Sequence, residues 1–272
     1  MLETLVELGC DMSPQERLFR FQPAPDSLAQ QIVVITGASR GIGSAVSRAA
    51  AAAGAQTVLL ARGAKQMETI ADDIVKAGHI EPGIVPVNLE GATVDDYTKI
   101  AGLISERYGR VDSLVLNAGM LGEMAPLATY DPISWARVFQ TNVHSQFLLL
   151  QALLPLLDLS DNGSIIFTSS GVGRKARAFW GAYAASKFAT EGMMQILADE
   201  LAERGKVRVN SLNPGRVRTQ MRAQAYPAED PASLPRAEDI TDAYLFLLCS
   251  DSADVHGCAL DAQASTPSAR TK

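Results

Sequence analysis

Seven short runs of aliphatic and β-branched residues punctuate this chain. They are IVVIT at 32–36, TVLLA at 57–61, IVPVN at 84–88, SLVLN at 113–117, SIIFT at 164–168, VRVNSLN at 207–213 and CALDA at 258–262. They read as continuously apolar rather than alternating, the pattern of strands buried on both faces. Between them lie longer segments with helical spacing, such as IGSAVSRAAAAAG, AKQMETIADDIVKAG, TVDDYTKIAGLISERYG and ISWARVFQTNVHSQFLLLQALL. Strands separated by helices close into a parallel sheet through right-handed crossovers. The expected fold is α/β: a single domain on a doubly wound parallel sheet of about seven strands, with helices on both faces.

The 272 residues suffice to bury such a core. Residues 29–263 are expected to form the domain. Residues 1–28 precede the alternation and contain Pro14, Pro23 and Pro25. They are expected to be an appendage that need not be fully ordered, and Met12 competes with Met1 as the true start. The tail 264–272 is expected to be loose. Apolar residues make up 47% and charged residues 20%, with a net charge of −6. Such a balance gives no reason to expect nucleic acid or an anionic membrane surface as partner. No apolar run is long enough to span a bilayer, and the opening MLETLVELGC lacks the basic start of a secretory signal. Cys10, Cys249 and Cys258 form no CxxC, which fits a reducing cytoplasm. His79, His144 and His256 lack metal-ligand spacing, so no metal site is expected.

Two local patterns carry chemistry. In GAYAASKFATEG, residues 181–192, Tyr183 and Lys187 share one helix face amid small residues that add little to a core. Roughly 180–240° round the same helix, at about 100° per residue, stand Ala185, Ala189, Gly192 and Ile196. That face allows close approach by another helix, from the same subunit or from a second one. In TGASRGIG, residues 36–43, the glycines Gly37, Gly41 and Gly43 stand between a strand and a helix. Such a turn lets a pyrophosphate reach the helix N-terminus, although an ordinary tight turn uses glycine too. The second strand ends LLARGAK, with Arg62 where an NAD-type site carries a ribose-binding carboxylate. Arg62 and Arg40 together suit a 2′-phosphate, which favours NADP(H) over NAD(H) as cofactor. Merely solvated arginines are the plainer alternative.

TGASRGIG is followed in order by NAG at 117–119, TNV at 141–143, SS at 169–170, YAASK at 183–187 and NPG at 213–215. This series, over residues 30–262, resembles the short-chain dehydrogenase/reductase family, whose sheet is Rossmann-like. FTSSGVGR and WGAYAASKFATEGMMQ are similar to a bacterial subgroup of oxidoreductases of mostly unassigned substrate. The resemblance implies hydride exchange between NADP(H) and a carbonyl or alcohol substrate, with Tyr183 as acid/base. Lys187 would be its partner and would bind the nicotinamide ribose. A free phenol titrates near pH ~10, and a fixed ammonium nearby favours its ionised form. Ser170, thirteen residues before the tyrosine, would stabilise the substrate oxygen, with Ser169 as second choice. Asn142 would hold a relay water; a local hydrogen bond in mid-helix is the alternative. The implied cofactor contacts in the glycine turn are Gly37, Ser39, Arg40, Gly41, Ile42 and Gly43. Beyond it they are Arg62, Asn88, Leu89, Asn117, Ala118 and Gly119, then Tyr183 and Lys187, then Pro214, Gly215, Val217 and Thr219. Two departures stand out. Asn88 replaces the family's aspartate, and GCALDAQAS replaces a C-terminal glycine pair. Family packing implies a homodimer or homotetramer.

Met120, Leu121, Val172, Trp180, Met221 and Tyr226 are expected beside the pocket and suggest an apolar substrate. The short segment from Pro214 to Glu238 suggests an open pocket for bulky or carrier-linked substrates. A 3-oxoacyl-thioester (acyl carrier protein) reductase would share every motif. A cofactor-binding regulatory protein without catalysis is disfavoured by the intact Asn142, Ser170, Tyr183 and Lys187. An extended sugar-nucleotide epimerase is disfavoured by the glycine spacing and the short region after Pro214.

Overall fold

Successive side chains of the first strand, β1 (Ile32–Thr36), point to opposite faces of the sheet, and both faces are buried. Ile32 and Val34 pack into one apolar cluster, Val33 and Ile35 into the other. A computed structural model describes residues 12–264 of the protein. The sheet is completed by β2 (Gln56–Ala61), β3 (Gly83–Pro86), β4 (Ser113–Leu116), β5 (Gly163–Thr168), β6 (Val207–Asn213) and β7 (Ala259–Asp261). All neighbours are parallel, in the order β3-β2-β1-β4-β5-β6-β7. The chain winds outward from β1 to β3, then restarts at β4 on the other side of β1. That reversal opens a crevice at the C-terminal ends of β1 and β4, where ligands of such sheets bind.

Helices cover both faces. On one lie α1 (Pro14–Arg20), α2 (Gly41–Ala52), α3 (Ala64–Lys76) and α10 (Thr241–Leu248); on the other lie α4 (Val94–Tyr108), α6 (Ser145–Leu157) and α8 (Gly181–Leu201). The stripe Met67, Ile70, Ala71 and Ile74 explains how α3 docks, since its spacing follows the helical period. α4 starts at a reciprocal cap between Thr93 and Asp96 and stops at Gly109, whose φ is 79°. Three shorter helices, α5 (Pro132–Phe139), α7 (Gly171–Arg174) and α9 (Gln220–Ala225), lie near the C-terminal ends of the strands. The single helix expected over 133–154 is instead α5 and α6 joined by a π-turn at Gln140–His144, where the Ser145 N–H donates to Gln140 O. The widened turn carries Asn142, which is fully buried.

The amino-terminal segment corrects one expectation. Residues 1–11 lie outside the described residues, but residues 13–28 are built into the domain rather than appended to it. Ser13 and Glu16 form a capping box that starts α1, with Pro14 in its first turn. Leu18 and Leu28 are buried in the core, and Phe21 meets the Phe246 ring edge-on at 5.4 Å. The prolines that suggested a loose leader therefore punctuate a packed one. Of the tail, only Ala264 is described. Among the described residues, no helix is long and apolar enough to cross a membrane.

Candidate active site

Thr36, at the end of β1, ties the two halves of the sheet together. Its hydroxyl accepts from the N–H groups of Asn117 and Ala118 at 2.9 and 3.0 Å, and Asn117 Nδ2 donates to Thr36 O at 3.0 Å. The turn that follows has no room for a side chain at Gly37 or at Gly43. Gly37 has φ +66°, and a Cβ there would lie 2.9 Å from Ala118 Cα; a Cβ on Gly43 would lie 2.4 Å from Gly37 O. α2 then begins at Gly41 with no side chain capping its N–H groups. Free donors and the helix dipole make such an end attractive to an anion.

A cleft of about 980 Å³ opens here, along the C-terminal ends of the strands. Of the candidate catalytic and cofactor-binding residues read from the sequence, all line it except Gly43, packed beneath the glycine turn, and Asn142, buried behind the wall. Lys187 is 3% exposed and donates from Nζ to Thr168 O at 2.6 Å. Its ammonium lies 5.8 Å from the centre of the Tyr183 ring. Burial lowers Lys187 to about 8, and Glu191 pulls it back up. Burial likewise raises the Tyr183 phenol, opposed by the neighbouring Ser170 hydroxyl. In the protein alone, desolvation of the phenolate outweighs the Ser170 hydrogen bond, so the phenol is neutral near neutral pH.

Ser169 is 1% exposed, and its N–H donates to Leu212 O at 2.9 Å. Ser170 is half-buried at the start of α7, and its hydroxyl is not used as a cap. Asn142 is held by contacts far from it in sequence. Its Oδ1 accepts from Met120 N–H at 2.7 Å, and its Nδ2 donates to Met120 O and Ser186 Oγ, each at 2.9 Å. The side chain thus pins the π-turn to the loop after β4 and to α8.

Elsewhere in the cleft, Arg62 follows β2 directly with its side chain 60% exposed. It stands 4.0 Å from Glu90, which Arg137 of α5 binds at 2.6 Å. Arg137 holds the Glu90 carboxyl below its usual range, with Arg62 a lesser contributor. Glu90 and Arg137 both line the cleft, and sequence reasoning missed them. They are 47 positions apart, and no motif marks either. Arg40 donates to Gln220 Oε1 at 2.5 Å, joining the glycine turn to α9.

Met120, Leu121, Trp180 and Met221 line the cleft as expected. Val172 packs behind them beside Tyr183, and Tyr226 lies against Trp180 with ring centres 5.9 Å apart. The short segment after β6 is braced. Thr219 caps α9, Glu229 clamps Arg222 at 2.5 and 2.7 Å, and the Arg222 guanidinium lies 3.8 Å from the Tyr226 ring centre. Gln263 donates to Pro214 O at 2.7 Å, so the stretch lacking the glycine pair still holds the loop at Pro214 and Gly215.

The family sequence model described as short chain dehydrogenase matches residues 31–230. This chain belongs to the short chain dehydrogenase family. The short chain dehydrogenase is 46% identical over 243 residues to the oxidoreductase YciK of Escherichia coli strain K12, covering 89% of this chain and 96% of that one. A short chain dehydrogenase structure from Pseudomonas syringae is 48% identical with a TM-score of 0.88, covering 89% of this chain and 98% of the other. Another, from Escherichia coli CFT073 in complex with NADPH, is 46% identical with a TM-score of 0.87, covering 89% of this chain and all of the other. The dehydrogenase is thus an oxidoreductase whose relatives share its sheet and nearly its whole described length.

Proposed function

We propose that this dehydrogenase interconverts carbonyl compounds and alcohols, prefers NADP(H) to NAD(H), and uses Tyr183 as its acid/base. The observation that carries the reading is that Tyr183, Ser170 and Lys187 share one cleft with the uncapped start of α2. That start, with Gly37 too crowded for a side chain, fits a dinucleotide diphosphate. Gly37, Ser39, Gly41 and Ile42 would hold the diphosphate, and Gly43 would let the turn close. Arg40 and Arg62 would meet the 2′-phosphate; the NADPH complex of the relative from Escherichia coli CFT073 supports the choice of cofactor. Asn88, Leu89, Asn117, Ala118 and Gly119 would flank the adenosine side. Pro214, Gly215, Val217 and Thr219 would flank the nicotinamide. The bound nicotinamide would supply or take up the hydride.

In reduction, the neutral Tyr183 phenol gives its proton to the carbonyl oxygen. Ser170 donates a hydrogen bond to the same oxygen as negative charge develops there. Lys187 offsets the charge left on the tyrosine and binds the ribose hydroxyls. The Asn142 side chain is occupied by Met120 and Ser186, so a relay water would be held by its backbone carbonyl. Met120, Leu121, Trp180 and Met221 suit an apolar substrate. The outward face of α8, with Ile196 61% exposed and open space beside Gly192, suits a second subunit in a homodimer or homotetramer. The test is NADPH consumption against a panel of ketones, aldehydes, quinones and acyl thioesters. Turnover by the wild type that persists undiminished in Tyr183→Phe overturns the assignment.

A further inference from the structure

Glu191 lies one helical turn beyond Lys187 on α8, on the side already carrying Tyr183 and Lys187. It is 6% exposed, and a carboxylate so buried needs partners. Its Oε1 accepts from Arg174 Nε at 3.0 Å and its Oε2 from Ser211 Oγ at 2.6 Å. Arg174 in turn donates to Asp261 Oδ1 at 3.0 Å and to Leu260 O at 2.8 Å. Charge therefore alternates in sign from Glu191 through Arg174 to Asp261, out to β7, with Lys187 one turn before Glu191 on α8. Side-chain exposure rises along it, from 8% at Glu191 to 26% at Arg174 and 43% at Asp261.

The surroundings leave Lys187 dependent on that chain. Among the described residues its one acceptor is Thr168 O on β5. Tyr183 on its own helix and Tyr244 on α10, whose hydroxyl meets Thr168, are neutral phenols raised by burial. Arg174 on α7 is of like charge. The π-turn offers the neutral Asn142, β6 offers Ser211, and Arg137 of α5 is engaged by Glu90. Glu191 is the acidic group that opposes the loss of the lysine's proton.

We propose that Glu191 is a positioning residue of the catalytic machinery: it keeps Lys187 in its ammonium form, and Arg174 limits how strongly it does so. The inference rests on the reading of Tyr183 and Lys187 as acid/base and partner.

Glu191→Gln keeps the size of the side chain and an acceptor for Arg174 while removing the charge. The sign follows from linkage. A lysine whose pKa is lowered by folding penalises the native state below that pKa, and the penalty fades as pH rises through the window up to its unfolded value. Lowering it further enlarges the penalty at low pH only. The melting temperature of Glu191→Gln, without cofactor, should thus fall a few degrees below wild type at about pH 6.5 and approach it by about pH 9. In a Lys187→Met background the same substitution should show no such pH dependence. The alkaline limb of kcat/KM for reduction should move down by about one pH unit in Glu191→Gln, back toward wild type in Glu191→Asp, and up in Arg174→Gln. A melting deficit equal at every pH, or unchanged by loss of Lys187, overturns the proposal. Should Tyr183→Phe stay active while the pH-dependent coupling is found, the acid/base reading fails and the coupling stands.

Discussion

The side chain of Gln15 and the backbone of Asp261 exchange two hydrogen bonds of 2.8 Å, although 246 positions separate them. Asp261 also accepts from Asn213 Nδ2 at 2.7 Å and from Arg174 Nη1 at 3.0 Å. The first helix is thereby tied to β7, an edge strand, and through it to the end of β6 and the end of α7. Arg17 adds an ion pair to Asp254 at 2.6 Å.

The segment that precedes the sheet should therefore contribute to stability. Leu18→Ala, at a position 4% exposed, should cost about 2–3 kcal/mol by lost burial and the cavity left behind. That corresponds to a fall in Tm of about 5–10 °C in a chain of this size. Thermal melting followed by circular dichroism measures it. A shift within experimental scatter would show that α1 is merely laid on the surface.

The two adjacent serines differ in what their hydroxyls can reach. Ser170→Ala should lower kcat by about a hundredfold or more, the usual loss when an oxyanion donor is removed. Ser169→Ala should cost much less. Steady-state rates at saturating NADPH compare the two, and a larger loss from Ser169→Ala would reassign the serine. Tyr183→Phe should lose about a thousandfold in turnover with cofactor affinity nearly unchanged, because the phenol acts in proton transfer.

Arg62 faces Glu90 only at 4.0 Å, and Arg137 satisfies that carboxylate. Its guanidinium is thus free to take a phosphate. A charge-assisted contact contributes about 1.5–3 kcal/mol, so Arg62→Asp should reduce the preference for NADPH over NADH by about tenfold to a hundredfold. Fluorescence titration of both cofactors reads the ratio. Equal affinities in the wild type would reopen the cofactor assignment.

Ile196 is 61% exposed on the face of α8 opposite the cleft, one turn from Gly192. Ile196→Glu would place a charge in any helix–helix contact formed there. Sedimentation velocity should show the wild type as a dimer or tetramer and the variant shifted toward monomer, with little change in Tm at low protein concentration. A wild type that sediments as a monomer rules the contact out.

The inner strands were legible because a parallel strand between two others is buried on both faces, so each leaves an apolar run that can be read without knowing its neighbours, whereas the edge strands β3 and β7 are only partly buried. Tyr183 and Lys187 were legible for a similar reason, since i and i+4 share a helix face whatever the helix packs against. The glycine turn was legible because Gly37 adopts a φ that side chains disfavour. None of these signals needs more than about a dozen neighbouring residues. Glu90 beside Arg62 and Arg137, Asn142 bound to Met120 and Ser186, Gln15 paired with Asp261, and Glu191 linked through Arg174 to β7 are of another kind. Each joins segments that only the winding of the sheet brings together, and no local pattern records which partner will arrive. Composition and periodicity thus determined the layers and the shared helix face of Tyr183 and Lys187. The tertiary structure decided what surrounds that pair, because burial, charge pairing and desolvation depend on every element that packs against it.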